Sequence, residues 1–146
     1  MDVTLVGLAV TTGVLATAGG AGWWLRRRDG KVRPASPQPG MPDLLRRLGV
    51  EPGAPATLLQ FSSAFCRPCR ATRVLCARAA ADHPGVRHVD VDAESHLDEV
   101  RALGVWRTPT VFVLDAAGRP VVRVTGQPTQ EQLTGALAPL LSGRLS

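Results

Sequence analysis

An α/β sandwich on a mixed central sheet, preceded by one membrane-spanning helix, is predicted from three observations. Strand-like and helix-like hydrophobic periods alternate in regular order through residues 43–146. The last two strand-like runs are separated only by Asp115-Ala116-Ala117-Gly118, the signature of an antiparallel hairpin. Upstream, the 23 residues from Val3 to Leu25 carry no charge. As a helix they would extend roughly 34 Å, slightly more than a hydrocarbon core. With 146 residues, 45% apolar and 20% charged, the chain has the composition of a folded protein and little room for separate cofactor and substrate lobes.

The apolar run contains five Gly and four Thr, which a bilayer tolerates because helical hydrogen bonds satisfy the backbone. Trp23 and Trp24 fall where an interfacial aromatic belt would lie, and Arg26, Arg27, Arg28, Lys31 and Arg33 follow. A cleavable signal peptide has its positive charge before the apolar run, so the reversed order predicts a retained anchor over 1–28. The positive-inside rule then places the rest of the chain in the cytoplasm, with the extracytoplasmic side as the alternative. Residues 29–42, DGKVRPASPQPGMP, include four Pro and read as an extended linker, leaving 43–146 as the domain.

The formal net charge is +5, but residues 1–42 hold five basic and two acidic residues, whereas 43–146 hold twelve and ten. The excess is mainly juxtamembrane, an address on an anionic surface. With no nucleic-acid-binding motif in the remainder, nucleic acid is not expected as a partner. Sixteen Arg against one Lys, with abundant Ala, Gly and Val, suggests a GC-rich bacterial coding sequence.

Within the domain, Asp43 is expected to cap a short helix through Leu44, Leu45 and Leu48 that stops at Gly49. Thr57 to Ser62 reads as a buried strand, followed by a helix from about Arg67 to Ala81 that ends before His83-Pro84-Gly85. Val86 to Val91 is the next strand, Leu97 to Leu103 a helix closed by Gly104, and Thr110 to Leu114 a further strand. Val121 to Val124 completes the hairpin, and Pro128-Thr129 opens a last helix running to Leu141. The order is βαβαββα after a short leading helix.

Chemistry concentrates where the first strand meets its helix, at Cys66-Arg67-Pro68-Cys69. Cys66 falls at the helix N-cap, where unsatisfied N–H groups and the helix dipole favour thiolate over thiol. Pro68 suits a first turn because its missing N–H is not needed there. Cys69, one turn along, is within disulfide reach of Cys66. Arg67 and Arg70 add positive charge that favours the thiolate further. The same two Cys are half of a zinc site, but Cys76, His83, His88 and His96 supply no second close ligand pair, so no metal is expected.

These residues resemble the thioredoxin family over about 85 residues, from Thr57 to Leu141. Leu59 to Arg70 is similar to the family's strand, active-site loop and helix start, with Phe65 where an aromatic residue commonly precedes the first Cys. Thr108-Pro109-Thr110 resembles the cis-proline loop, and Val89-Asp90-Val91-Asp92 and Gly126 fall in the family's order. The resemblance implies a thioredoxin-like three-layer sandwich and a thiol-disulfide oxidoreductase without cofactor, acting on protein disulfides or thiols and recharged by an upstream electron donor. Cys66 and Cys69 would be catalytic. Phe65, Arg67, Pro68, Trp106, Thr108 and Pro109 would contact substrate, with Pro109 cis and Thr108 offering its backbone; for Trp106, packing beneath that loop is an equal alternative.

Three departures stand out. Gln60 occupies the position of the family's buried Asp, and His88 that of its Lys partner, so proton removal from Cys69 must use another route and resolution of the mixed disulfide should be slow. Pro42 to Ala56 is too short for a full leading strand and helix, which implies a truncated sheet edge. Cys76 is expected to be a buried apolar residue. Arg67, Arg70, Arg73 and Arg107 are either solvated surface charge or a positive rim for acidic partners. The alternatives to a reductant at the membrane are an extracytoplasmic oxidoreductase of the cytochrome c maturation type and a non-catalytic, partner- or metal-holding module.

Overall fold

The computed structural model of the chain describes residues 3–28, 30–36 and 39–143. Helix α1 spans Val3–Arg28. Its stretch Val6–Trp24 is exposed throughout and is long and apolar enough to cross a membrane. None of this stretch is buried among the described residues, so by length and composition it could be a membrane span or a signal segment rather than a core helix. The side chains of the expected basic flank Arg26, Arg27 and Arg28, and all of Asp29, lie outside the described residues.

The remainder forms β1 (Lys31–Pro34), α2 (Met41–Arg47), β2 (Ala56–Ser62), α3 (Arg67–Asp82), β3 (Val86–Asp92), α4 (Leu97–Ala102), β4 (Thr110–Asp115), β5 (Pro120–Thr125) and α5 (Gln130–Leu141). The five strands make one sheet in the order β1-β5-β4-β2-β3. Only β2 and β3 pair in parallel, through the α3 crossover; the other pairs are antiparallel.

Period-two alternation along β2 divides the core between the two faces of the sheet. Leu59 and Phe61 join Leu45, Leu48, Leu103 and Phe112 on the α2 and α4 side. Ala56 and Leu58 join Cys76, Val111, Leu133 and Leu137 on the α3 and α5 side. Every residue of β2 is buried, as expected for a central strand covered on both faces. The observed architecture is the expected three-layer sandwich with a mixed sheet.

Two expectations are corrected at the domain start. Residues 29–42 are not simply a linker: Lys31–Pro34 runs antiparallel to β5, with Lys31 opposite Thr125 and Pro34 opposite Val122. This strand extends the sheet at its β5 edge, while β3 is the opposite edge and the segment from Pro42 to Ala56 adds no strand ahead of β2, as expected. The entry of β1 is pinned at Gly30, whose carbonyl accepts a 2.8 Å bond from Gln132 Nε2. Gly30 has a φ of 72°, and a Cβ there would meet Gln132 Oε1 at 2.8 Å and the Gln127 carbonyl at 2.9 Å. Glycine is required by both backbone and space. Beyond the strand, Ala35 N–H donates to the Val121 carbonyl at 3.0 Å; Pro37 and Gln38 lie outside the described residues. The second correction concerns α2, whose N-cap is Gly40 rather than Asp43. Pro42 can occupy the first turn because no N–H is needed there, which starts the helix earlier. Asp43 instead sits inside that turn and pairs with Arg46.

Candidate active site

The β2–α3 junction brings the two cysteines together. Cys66 is the N-cap of α3, in extended backbone conformation, and its sulfur accepts the Cys69 N–H at 3.2 Å. This is a capping interaction with sulfur in place of the usual oxygen, and it directs positive backbone dipoles at Sγ. Cys66 and Cys69 are disulfide-bonded with their Cα atoms 5.2 Å apart. Cys69 is buried, Cys66 is partly accessible, and Arg67, Pro68 and Arg70 are exposed around them. One sulfur is therefore presented to a partner while the other is kept behind it.

Across from the dithiol loop lies the Thr108–Pro109 peptide, which is cis as expected. Ser63 Oγ and Thr108 Oγ1 are 3.1 Å apart and tie the two loops together. The Pro109 carbonyl accepts from Gly126 N–H at 2.8 Å, joining the loop to the end of β5. Phe65 is 98% exposed and Trp106 87% exposed, so Trp106 does not pack beneath the loop. Both rings present exposed apolar surface.

Behind Cys69, Gln60 is fully buried and uses its whole amide. Nε2 donates to Ser62 Oγ at 2.8 Å and to the Cys69 carbonyl at 3.0 Å. Oε1 lies 3.1 Å from His88 Nε2, which requires that nitrogen to carry a proton. Ser62 Oγ passes its own hydrogen to Asp90 Oδ1 at 2.5 Å, and Arg73 Nε holds Asp90 Oδ2 at 2.6 Å. Burial lowers the His88 pKa, an effect that Asp90 opposes and Arg73 reinforces. The group below the dithiol is thus a saturated, neutral amide linked to the nearest carboxylate through a hydroxyl.

Of these partners, Ser62, Ser63 and Asp90 fall within segments matched to the family in the sequence but were given no role there. Their signal was the β2–β3 register, which sets Gln60 beside Asp90 but which depends on parallel pairing across α3. The four expected rim arginines also separate: Arg67 and Arg70 flank the cysteines, Arg73 is neutralised by Asp90, and Arg107 lines a groove beside the cis-proline loop. Cys76 is free and fully buried on α3, where burial pushes its thiol up to about 12 with Asp90 adding to the shift. Among the described residues, no three His, Cys, Asp or Glu side chains gather in a metal-holding group.

Structural comparison finds oxidised mitochondrial thioredoxin 3 of Saccharomyces cerevisiae at 19% identity and a TM-score of 0.55, covering 64% of this chain and 85% of that one. A thioredoxin variant from Halobacterium salinarum matches at 20% identity and a TM-score of 0.56, covering 66% and 82%. Fasciola hepatica thioredoxin matches at 21% identity and a TM-score of 0.54, covering 66% and 88%. No curated protein sequence matches the chain. The family model described as a thioredoxin-like domain matches residues 50–140, from before β2 to one residue short of the end of α5. That span contains the dithiol, the cis-proline loop and four of the five strands, and it shows that the chain belongs to the thioredoxin-like domain family.

Proposed function

We propose that this chain is a thiol-disulfide oxidoreductase that reduces protein disulfides at a membrane surface. The observation that carries the reading is the redox-capable Cys66–Cys69 pair at the first turn of α3, beside the cis Thr108–Pro109 peptide. In the reduced protein the Cys66 thiolate attacks one sulfur of a substrate disulfide. A mixed disulfide forms, and the other substrate sulfur leaves as a thiolate that takes up a proton. Cys69, deprotonated in turn, attacks Cys66 Sγ and releases the second substrate thiol. The substrate gains two electrons and two protons, and Cys66–Cys69 becomes a disulfide that an upstream dithiol donor must reduce.

The accessible Cys66 sulfur serves as nucleophile and the buried Cys69 sulfur as resolving thiol. The Thr108 backbone would pair with an extended substrate segment, with Pro109 holding that edge against the dithiol and Phe65, Arg67, Pro68 and Trp106 at the rim. Gln60 acts on Cys69 as a positioning residue rather than as a proton acceptor, because an amide cannot take a proton, and His88 acts through its hydrogen bond to Gln60. α1 is read as the anchor, with the domain on the cytoplasmic side because the basic residues follow the apolar run.

Reduction of insulin disulfides with dithiothreitol as donor tests the activity. Wild type should accelerate it and Cys66→Ser should not; equal rates for the two would refute the reading. An impermeant maleimide applied to intact cells tests the side, and ready labelling of Cys66 would assign the domain to the outside.

A further inference from the structure

Between β1, β5 and the segment joining α4 to β4 lies a groove of about 600 Å³. Lys31, Arg33, Arg107 and Arg123 line it, and none of its described lining residues is acidic. Phe112 is buried beneath it, and exposed Trp106 stands at its edge. Arg123 is fixed in place: its Nη1 and Nη2 donate to the Leu103 and Gly104 carbonyls at 3.2 and 2.6 Å. Its guanidinium also lies 5.2 Å from the centre of the Phe112 ring. Burial and then the neighbouring charge of Arg33 lower the Arg123 pKa, consistent with cations crowded along one wall. Such a cluster is relieved most directly by an anion placed among its members.

The groove adjoins the cis-proline loop. Trp106 and Arg107 lead directly into Thr108–Pro109, and Thr125, which also lines the groove, precedes the Gly126 that bonds to the Pro109 carbonyl. A chain paired with the Thr108 edge therefore has this groove beside it. Two of the wall cations, Lys31 and Arg33, come from β1, the strand that extends the sheet edge. We propose that the groove takes an acidic segment of the disulfide-bearing protein substrate, so that Lys31 and Arg33 select substrates whose cystine lies near Asp or Glu. This rests on the oxidoreductase reading. Anionic lipid headgroups share the charge, since β1 begins within three residues of the end of α1. The Trp106 and Arg107 rim at the cis-proline loop favours a peptide, these being the residue types that anchor protein interfaces.

The test uses the full chain in phosphatidylcholine nanodiscs and two disulfide peptides alike except for Asp/Glu or Ser/Gln flanks. Wild type should show kcat/KM about tenfold higher for the acidic peptide at low salt, with the preference shrinking as screening increases. In K31E/R33E the ratio should fall to about one or invert, and in Lys31→Gln/Arg33→Gln it should be intermediate. Binding of the two peptides in disulfide-free form, read by fluorescence anisotropy, should follow the same order in all three proteins. This second readout needs no turnover. Peptide binding that follows this order without reduction of either peptide would refute the oxidoreductase reading and leave the groove's selectivity standing. Equal rates and equal binding of the two peptides by wild type would overturn the proposal, as would a preference that persists in K31E/R33E. Loss of the acidic preference when phosphatidylglycerol is included in the nanodisc would assign the groove to lipid and overturn it as well.

Discussion

Helix α3 and its N-cap carry three cysteines in two environments, and the contrast between the helix start and its third turn shows how position decides thiol chemistry. Cys66 caps the helix, receives a backbone N–H on its sulfur and is partly accessible. Cys76, ten residues further on, is fully buried among Ala56, Leu58, Val111 and Leu137, with its pKa raised to about 12. A helix start offers unsatisfied donors and an aqueous approach; a helix middle packed on a sheet offers neither. The same residue type is the proposed nucleophile in one place and a small apolar filler in the other.

The contrast can be broken or sharpened by substitution. The largest expected effect is that of Cys66→Ser, which should lower insulin reduction by on the order of 10³-fold or more because it removes the attacking sulfur. Cys76→Ala should change the same rate by less than about twofold, because Cys76 is enclosed in the core. A comparable loss in both variants would show that the two turns are not chemically distinct. Alkylation sharpens the point: after reduction, iodoacetamide at pH 8 should modify Cys66 within the native protein. Cys76 should react on the order of 10²-fold more slowly than in denatured protein. Mass spectrometry of the digested protein measures both.

A smaller effect is expected behind the dithiol. Gln60→Leu leaves the Cys69 carbonyl and His88 without their amide partner and should cost about 1–3 kcal/mol in urea unfolding. Gln60→Asp instead introduces an ionisable group beneath Cys69. It should add an ionisation to the pH profile of mixed-disulfide resolution, and an unchanged profile would contradict the assignment of Gln60 as a proton-inert residue.

The smallest effect concerns His88. Its folded-state pKa lies below the ordinary imidazole value, so the unfolded chain binds the proton more readily. Stability from this group is therefore present above the unfolded pKa of about 6.5 and is lost as pH falls toward the folded value. Thermal unfolding of His88→Gln should decline less than wild type between pH 7 and pH 5, and parallel declines would remove His88 from the account.

The dithiol turn, the cis-proline loop and the alternation of strands and helices were legible because each is written in neighbouring residues. Cys66 to Cys69 needs only a strand end and a helix start, and Thr108-Pro109 needs only the strand after it. β1 was hidden for the opposite reason. Lys31-Val32-Arg33-Pro34 contains two charges and a proline, and it becomes a strand only by pairing with β5, some ninety residues away. The expected cap at Asp43 failed because Gly40 and Pro42 already begin that helix. Gln60 and His88 were identified as a substituted pair, but their hydrogen bond and the route through Ser62 to Asp90 depend on the β2–β3 register.

The most direct test of the central claim is trapping with Cys69→Ser. The reduced variant should accumulate mixed disulfides with protein substrates on Cys66, seen as dithiothreitol-sensitive adducts on non-reducing gels and absent from the Cys66→Ser/Cys69→Ser double variant. Adducts that persist in the double variant, or that map to Cys76, would contradict the assignment of thiol-disulfide exchange to the first turn of α3.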